Sequence, residues 1–334
     1  LVVVCHGQGR GRQAEAARRI LHRATANVPW RDRLIVHETA TQPPPLDRVA
    51  AVVFWLADPL RELYPDCFAE ASRLAAEARR RGIRVVQPPA ALSNTIKSVQ
   101  AALWQAAGIP CAPAIAFGSA AELEALLPAA TYPVIVRPDH LHGQQAAVLC
   151  AERAAAVAAA RGIGAGVLLP FIDTRAGYRH TRPRSVWARY YHKKRAFVFG
   201  EMVVPNHVFF SAHPICGRHR STFARYDGGR WRWSWTVHFR PAERAALAAD
   251  LAFASGSGEC HALLRRAVQV LGLDFAAIDY ALDADGAPVL WEANPYFDLP
   301  DPESGAMPRE RRLQARIAGF DRAIGGFLGG LIGV

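Results

Sequence analysis

Half of the 334 residues are apolar (51%), six cysteines are scattered without a CxxC pair, and the formal net charge is +11. This make-up excludes a disordered chain, gives no zinc knuckle or disulfide framework, and fits two or three domains with substantial cores in a reducing, cytoplasmic compartment. No apolar run reaches the roughly eighteen residues that span a bilayer, and no nucleic-acid motif accompanies the positive charge, which reads as compositional drift as readily as an anion-binding surface.

In chain order, the opening LVVVC reads as a buried strand rather than a leader, since no basic segment precedes it and no small-residue cleavage site follows. After HGQGRGRQ come a helical pattern over 14–23, a second buried strand over 50–55, a helix over 67–81 and a strand over 83–86. Apolar strands alternating with helices predict a parallel sheet. Gly7, Gly9 and Gly11 do not complete a GxGxxG spacing, and no acidic residue ends the second strand. The loop is therefore read as lining a substrate cleft rather than holding a dinucleotide.

Pro88-Pro89 closes this unit, and Asn94 stands where it could cap a helix running to residue 107, which Gly108-Ile109-Pro110 stops. Lys97 falls in the first turn of that helix, where the dipole disfavours a cation. On its own it reads as solvated, with capture of an anion as the alternative. A helix over 120–127 precedes TYPVIVRPDHLHGQQAAVL, a strand, loop and strand. Arg137 ends the apolar strand, where an unpaired guanidinium is costly, and so calls for an anionic partner. The loop over 139–145 brings His142, Gly143, Gln144 and Gln145, donors suited to phosphate oxygens but without the GxxxxGK[ST] of a Walker loop.

VLLPFID, 167–173, is a buried strand that Pro170 assigns to a sheet edge or a hinge and that ends in Asp173. In WARYYHKKRAFVFGEMVVPNHVFF two strands flank a Gly200-Glu201 turn, and the even spacing of Arg189, Lys193 and Arg195 places three cations on one face, a solvated surface or an anion site. Residues 213–239 read as a strand pair with buried Trp231, Trp233 and Trp235 and exposed arginines; Arg218, Arg220 and Arg225 are alternative carboxylate clamps. Helices over 242–252 and 260–271 pack beside the core.

The most informative stretch is LDFAAIDYALDADGAPVLWEANP, 273–295. A strand over 276–282 presents Asp279, a DADG turn follows, and a return strand over 288–292 delivers Glu292 and then Asn294. Alternation puts Glu292 and Asn294 on one face, and the hairpin brings Asp279 opposite them. Two carboxylates and one amide oxygen suit Mg²⁺, which keeps waters and substrate phosphates in its remaining positions. The plain alternative is a common Asp-Gly turn with solvated strand ends.

The series NTIK, PVIVRP, LPFID, KRAFVFGEMVVP, IDYALDADG and WEANP, over roughly residues 86–299, resembles the ATP-grasp superfamily, most similarly a little-characterised bacterial subgroup. The resemblance implies an α/β fold class: an α+β two-lobed ATP-grasp domain preceded by a small parallel-sheet α/β domain. The boundaries are 1–90 for the N-terminal domain, 91–166 for the first ATP-grasp lobe and 167–334 for the second. It further implies that Lys97 and Arg137 hold nucleotide phosphates under a loop of His142, Gly143 and Gln144. Asp173 would lie in the adenine and ribose hinge, Arg195 with Lys193 would face the transferred phosphoryl group, and Asp279, Glu292 and Asn294 would bind Mg²⁺. Arg137 stands where many members have lysine, and HLHGQQ replaces a glycine-rich lid. The activity implied is ATP-dependent joining of a small-molecule or peptide carboxylate to an amine through an acyl phosphate. A phosphotransferase and a non-catalytic nucleotide-responsive binding protein are the alternatives, and self-association is left open.

Overall fold

The computed structural model describes residues 1–7, 12–141, 146–216, 225–227, 230–232, 241–256, 260–297 and 311–334. The first sheet is wholly parallel: β1 (Val2–Cys5), β2 (Ile35–Glu38), β3 (Ala51–Phe54) and β4 (Arg84–Val86) lie in the order β2-β1-β3-β4. β1 and β3 are buried throughout, as continuous apolar runs in parallel sheets are. β2 was not anticipated, because as an edge strand it leaves Ile35 and Val36 exposed and carries no buried pattern. The sheet is flanked by α1 (Arg12–Ala24) and α3 (Pro65–Arg80), with the single turn α2 (Leu60–Leu63) before α3. A 3₁₀ segment, Pro89–Thr95, leads into α4 (Lys97–Ala106).

The second sheet is antiparallel, built from β5 (Ile115–Phe117), β6 (Val134–Arg137), β7 (Val148–Cys150) and β8 (Gly166–Pro170) in the order β5-β8-β6-β7. With α5 (Ala120–Leu126) and α6 (Arg153–Ile163) it encloses its own apolar cluster around Leu123, Val136, Ala160 and Leu168. The edge expected from Pro170 is not found. β8 pairs on both sides, and Pro170 is tolerated because it is the last residue of the strand.

The third sheet holds the remaining chemistry. The short helices α7 (Ala176–Thr181) and α8 (Val186–Arg189) lead to β9 (Tyr191–Phe199), which turns at Gly200-Glu201 into β10 (Met202–Ser211). Gly200 has φ +55°, a conformation that favours glycine. Arg189 therefore ends α8 and does not share a strand face with Lys193 and Arg195. β11 (Arg225–Asp227) and β12 (Arg230–Arg232) form a separate two-stranded ladder; Arg218, Arg220, Trp233 and Trp235 lie outside the described residues. α9 (Pro241–Ser255) packs on β10, and α10 (His261–Val270) precedes β13 (Phe275–Leu282) and β14 (Pro288–Asn294). The sheet order is β10-β9-β13-β14, all antiparallel.

β13 alternates strictly between two cores. Ala276, Ile278, Tyr280 and Leu282 join a cluster with Val52, Phe54, Trp104 and Leu264, while Phe275 and Ala277 join one with Val3, Trp55, Phe197 and Phe297. Both clusters combine residues of the first sheet with residues of the third. α11 (Arg311–Gly330) caps the second cluster with Phe320, Ile324 and Leu328. The glycine-rich tail is thus mostly helix. A Cβ at Gly325 would come within 3.0 Å of the Ala24 carbonyl and one at Gly329 within 2.9 Å of Trp30 Nε1, so these glycines allow α11 to approach closely. No described helix is long and apolar enough to cross a membrane.

Candidate active site

Pairing across three strands brings charged residues into a row. Arg195 of β9, Asp279 of β13 and Glu292 of β14 are register partners on one sheet face, continuous with the Phe197 and Phe275 core. Asp279 is 3% exposed. Its Oδ1 accepts from Arg195 Nε at 2.7 Å; its Oδ2 accepts from Arg195 Nη2 at 2.9 Å and from Lys193 Nζ at 2.6 Å. Burial alone would raise this carboxyl's pKa, but the two cations outweigh it and hold the group below its ordinary value. Asp279 in turn raises Arg195 against the cost of burial. Phe209, cross-strand from Lys193, lies beneath both cations at 5.6 and 5.7 Å from its ring centre.

Two more cations close over this row from other elements. Lys97, the first residue of α4, is 4% exposed, with its Nζ 3.6 Å from Glu292 Oε1. Burial lowers its pKa, and Glu292 works against the shift. Solvation of Lys97, the simplest reading of its sequence position, is therefore wrong. Arg137 at the end of β6 is likewise lowered by burial and favoured by Glu292 and Asp139; its Nη2 donates to the Leu141 carbonyl at 2.7 Å. Lys97 Nζ, Arg137 Nε and Asn294 Oδ1 are buried without a hydrogen-bond partner among the described residues. Lys97 and Arg137 line one cleft with Glu292, and Asn294 follows Glu292 on the same strand face. The cleft runs between β6 and β8 on one side and α4, β9, β13 and β14 on the other, with Phe171, Ile172, Tyr191 and Trp291 adding apolar wall.

Asn94 does not cap α4. Its Nδ2 donates to the Leu271 carbonyl, and the preceding 3₁₀ turns leave Ile96 at the cap position. The cap comes instead from Asp139, whose carboxylate accepts from Ser98 N at 2.9 Å and from Ser98 Oγ, so that the loop after β6 is tied to the helix that carries Lys97. Asp173 lies in the link that follows β8. Arg175 binds its carboxylate through two bonds of 2.8 and 3.0 Å, Arg179 adds a third, and Thr174 rather than Asp173 lines the cleft. His142, Gly143, Gln144 and Gln145 lie outside the described residues. The roles of Gln100 and Asp139 escaped the sequence reading; the i,i+3 spacing of Lys97 and Gln100 on one face of the helix was the available signal.

On the opposite face of β9, His192 is boxed by Trp187 at 4.7 Å and Tyr178 at 5.4 Å, with Phe210 at 6.2 Å. Burial pushes its imidazole down to about 4. The folded state keeps this ring neutral where the unfolded chain, with a histidine near 6.5, takes up a proton. Stability is therefore retained above 6.5 and lost as pH falls from there towards 4, by about 3 kcal/mol in all. Replacing His192 by Phe should reduce the loss between pH 7 and pH 4 by that amount, measured by urea unfolding of both proteins at each pH. Equal losses would mean that water reaches the ring.

No family model and no curated protein matches the chain. Solved structures do match along nearly the whole length. The ATP-grasp ligase PsnB, complexed with minimal precursor, Mg and ADP, is 14% identical with TM-score 0.53 and coverage of 97% of this chain and 98% of that one. The RimK domain protein ATP-grasp from Sphaerobacter thermophilus is 18% identical with TM-score 0.52, covering 99% and 100%. The VanG D-Ala:D-Ser ligase from Enterococcus faecalis is 12% identical with TM-score 0.56, covering 99% and 98%. The cleft between an independent antiparallel lobe and the sheet bearing Asp279 and Glu292 occurs within that shared architecture: this chain has the ATP-grasp fold.

Proposed function

We propose that the protein is an ATP- and Mg²⁺-dependent ligase that activates a substrate carboxylate as an acyl phosphate and joins it to an amine, releasing ADP and phosphate. The observation that carries this reading is that Lys97, Arg137, Lys193, Asp279 and Glu292 line one cleft of an ATP-grasp fold, with Arg195 bound to Asp279 and Asn294 following Glu292 on the same sheet face. Lys97 and Arg137 carry buried polar atoms without a hydrogen-bond partner among the described residues, donors suited to polyphosphate oxygens.

The oxygen donors fit a hard divalent ion. Among the described residues no three His, Cys, Asp or Glu side chains gather for a metal, so the set is two carboxylates and one amide. Asn294 Oδ1 is buried and unbonded, and Glu292 lies two residues away on the same strand face. Asp279, Glu292 and Asn294 would hold the ion, which when bound neutralises phosphate charge and leaves positions for phosphate and water. Asp279 already shares its oxygens with Arg195 and Lys193, so any ion there meets a carboxylate kept ionised by its neighbours.

In the proposed reaction a carboxylate oxygen bonds to the γ-phosphorus as the bond to the β-bridging oxygen breaks and ADP leaves. The amine nitrogen then attacks the acyl carbon, phosphate departs, and the nitrogen loses a proton. Arg195 and Lys193, fixed by Asp279 and backed by Phe209, supply preorganised positive charge towards the transferring group, while Lys97 and Arg137 hold the phosphates it leaves. The PsnB structure contains Mg and ADP beside a precursor, which supports the nucleotide part of the reading.

The test is thermal stability with ATP or ADP, with and without Mg²⁺, followed by assay of ADP release across carboxylate and amine pairs. Binding to the folded state must raise the midpoint; at a ligand concentration one hundred times Kd the gain is about 2.7 kcal/mol. A magnesium-dependent rise, with ADP release that requires both a carboxylate and an amine, supports a ligase. Release that needs only one substrate and leaves a stable phosphorylated product identifies a phosphotransferase. No rise with any nucleotide, in the presence or absence of the substrates, removes the proposal.

A further inference from the structure

Simple alternation along β14 would not put Glu292 and Asn294 on the sheet face of Asp279. Leu290 pairs with Tyr280 and belongs to the apolar cluster that also holds Ile278 and Leu282. Counting in twos from Leu290 would send Glu292 and Asn294 to that same apolar face. Instead the register jumps from Tyr280 opposite Leu290 to Asp279 opposite Glu292, leaving Trp291 as an extra residue. One inserted residue exchanges the two faces. Ala293 now enters the core beside Ile278, and Glu292 and Asn294 share the sheet face of Asp279, with Glu292 and Asp279 lining the cleft.

A bulge on an edge strand leaves backbone groups without a ladder partner. Before the bulge, segment 110–112 covers the edge: Leu290 N donates to the Pro110 carbonyl at 3.0 Å, and Ala112 N donates to the Leu290 carbonyl at 3.3 Å. At the bulge itself the side chain of Gln100 takes over. Its Nε2 donates to the Trp291 carbonyl at 3.2 Å, and its Oε1 accepts from Ala293 N at 2.8 Å. Gln100 is 1% exposed, and its amide offers one acceptor and the donors needed to bracket Glu292 from both sides, as a neighbouring strand would.

We infer, on the basis of the function proposed above, that Gln100 is a positioning residue for the divalent ion: by locking the Trp291 bulge it holds Glu292 and Asn294 on the face of Asp279. Lys97 lies one turn earlier on the same helix, so α4 sets both the strand that carries Glu292 and the cation opposite it.

The test is Mn²⁺ binding in the presence of ADP, followed by electron paramagnetic resonance, in wild type, Gln100→Met, Glu292→Gln and the double variant. Methionine keeps the length and helix propensity of glutamine but offers no amide. Loss of a group that orients a metal ligand weakens metal binding by about 10- to 100-fold. Gln100→Met should show that loss while changing metal-free ADP affinity less than about two-fold, and should add a smaller loss in the Glu292→Gln background, where only Asn294 is left for it to orient. Equal Mn²⁺ affinity in Gln100→Met and wild type, or an undiminished further loss in the double variant, overturns the assignment of Gln100 alone. Wild type that binds ADP but no Mn²⁺ overturns the ion site and this inference together. If Gln100→Met does not fold, Gln100→Glu serves: it keeps the acceptor for Ala293 N, and its added charge would by itself draw a cation in. Weaker Mn²⁺ binding there supports the inference, and unchanged or tighter binding overturns it.

Discussion

Glu292→Gln is expected to keep the fold and to lower ADP formation by about 10²–10³-fold, the usual cost of removing one preorganised charge from a transition-state site. The substitution preserves volume and leaves an oxygen that can still face Lys97, whose Nζ lies 3.6 Å from the native carboxylate. It also removes a negative charge that works against ionisation of Asp279. What it takes away is a formal charge from the proposed oxygen set, so the magnesium-dependent part of nucleotide stabilisation should shrink while the metal-independent part persists. Circular dichroism and thermal unfolding verify the fold, and a coupled assay follows ADP. Wild-type turnover in this variant would take Glu292 out of the site.

The second large effect falls on stability. Asp279 is buried and accepts three hydrogen bonds from Arg195 and Lys193. In Asp279→Asn the carboxylate is lost, an amide NH₂ can be turned towards the cations, and two partly buried positive charges remain beside each other. Removing one partner of a buried ionic cluster costs about 3–5 kcal/mol, and the partial exposure of Lys193 and Arg195 places this case near the lower end. A urea midpoint reduced at constant m-value would register it. The wild-type contribution is present above the ordinary carboxylate pKa and is lost as pH falls through the lowered value of Asp279, so the gap between the two proteins should narrow in acid. A gap below 1 kcal/mol at neutral pH would mean that water already solvates the cluster.

What could be read in advance was local. The hairpin bearing Asp279 and Glu292, the Gly200-Glu201 turn and the shared face of Lys193 and Arg195 each follow from alternation over a few residues and a turn type, and the structure has them. What could not be read was pairing at long range. Nothing near Asp279 shows that β9, some eighty residues earlier, will lie beside it and supply Arg195. Nothing near Lys97 shows that Glu292 will come to face it and that both will be buried, so its sequence position pointed the wrong way. Asp139 was legible as a loop residue, yet its work is to cap a helix forty residues earlier. The Trp291 bulge was hidden for a different reason. Glu292 and Asn294 are two apart and share a face with or without it, and only the apolar Leu290 betrays the shift.

The clusters shared by the first and third sheets bear on where the cleft lies. Gln87, at the end of β4, donates through Nε2 to the Phe275 carbonyl and accepts through Oε1 from Asp274 N and Phe275 N, which fastens the parallel sheet to the base of the strand that carries Asp279. Those two layers form one mechanical body. The β5–β8 lobe has a core that uses only its own residues, and it joins the rest through the short stretches before Ile115 and after Pro170 and through the bonds of Asp139 to the start of α4. The cleft therefore follows the boundary between two separate cores, with Arg137 on one side and Lys193, Arg195 and Asp279 on the other.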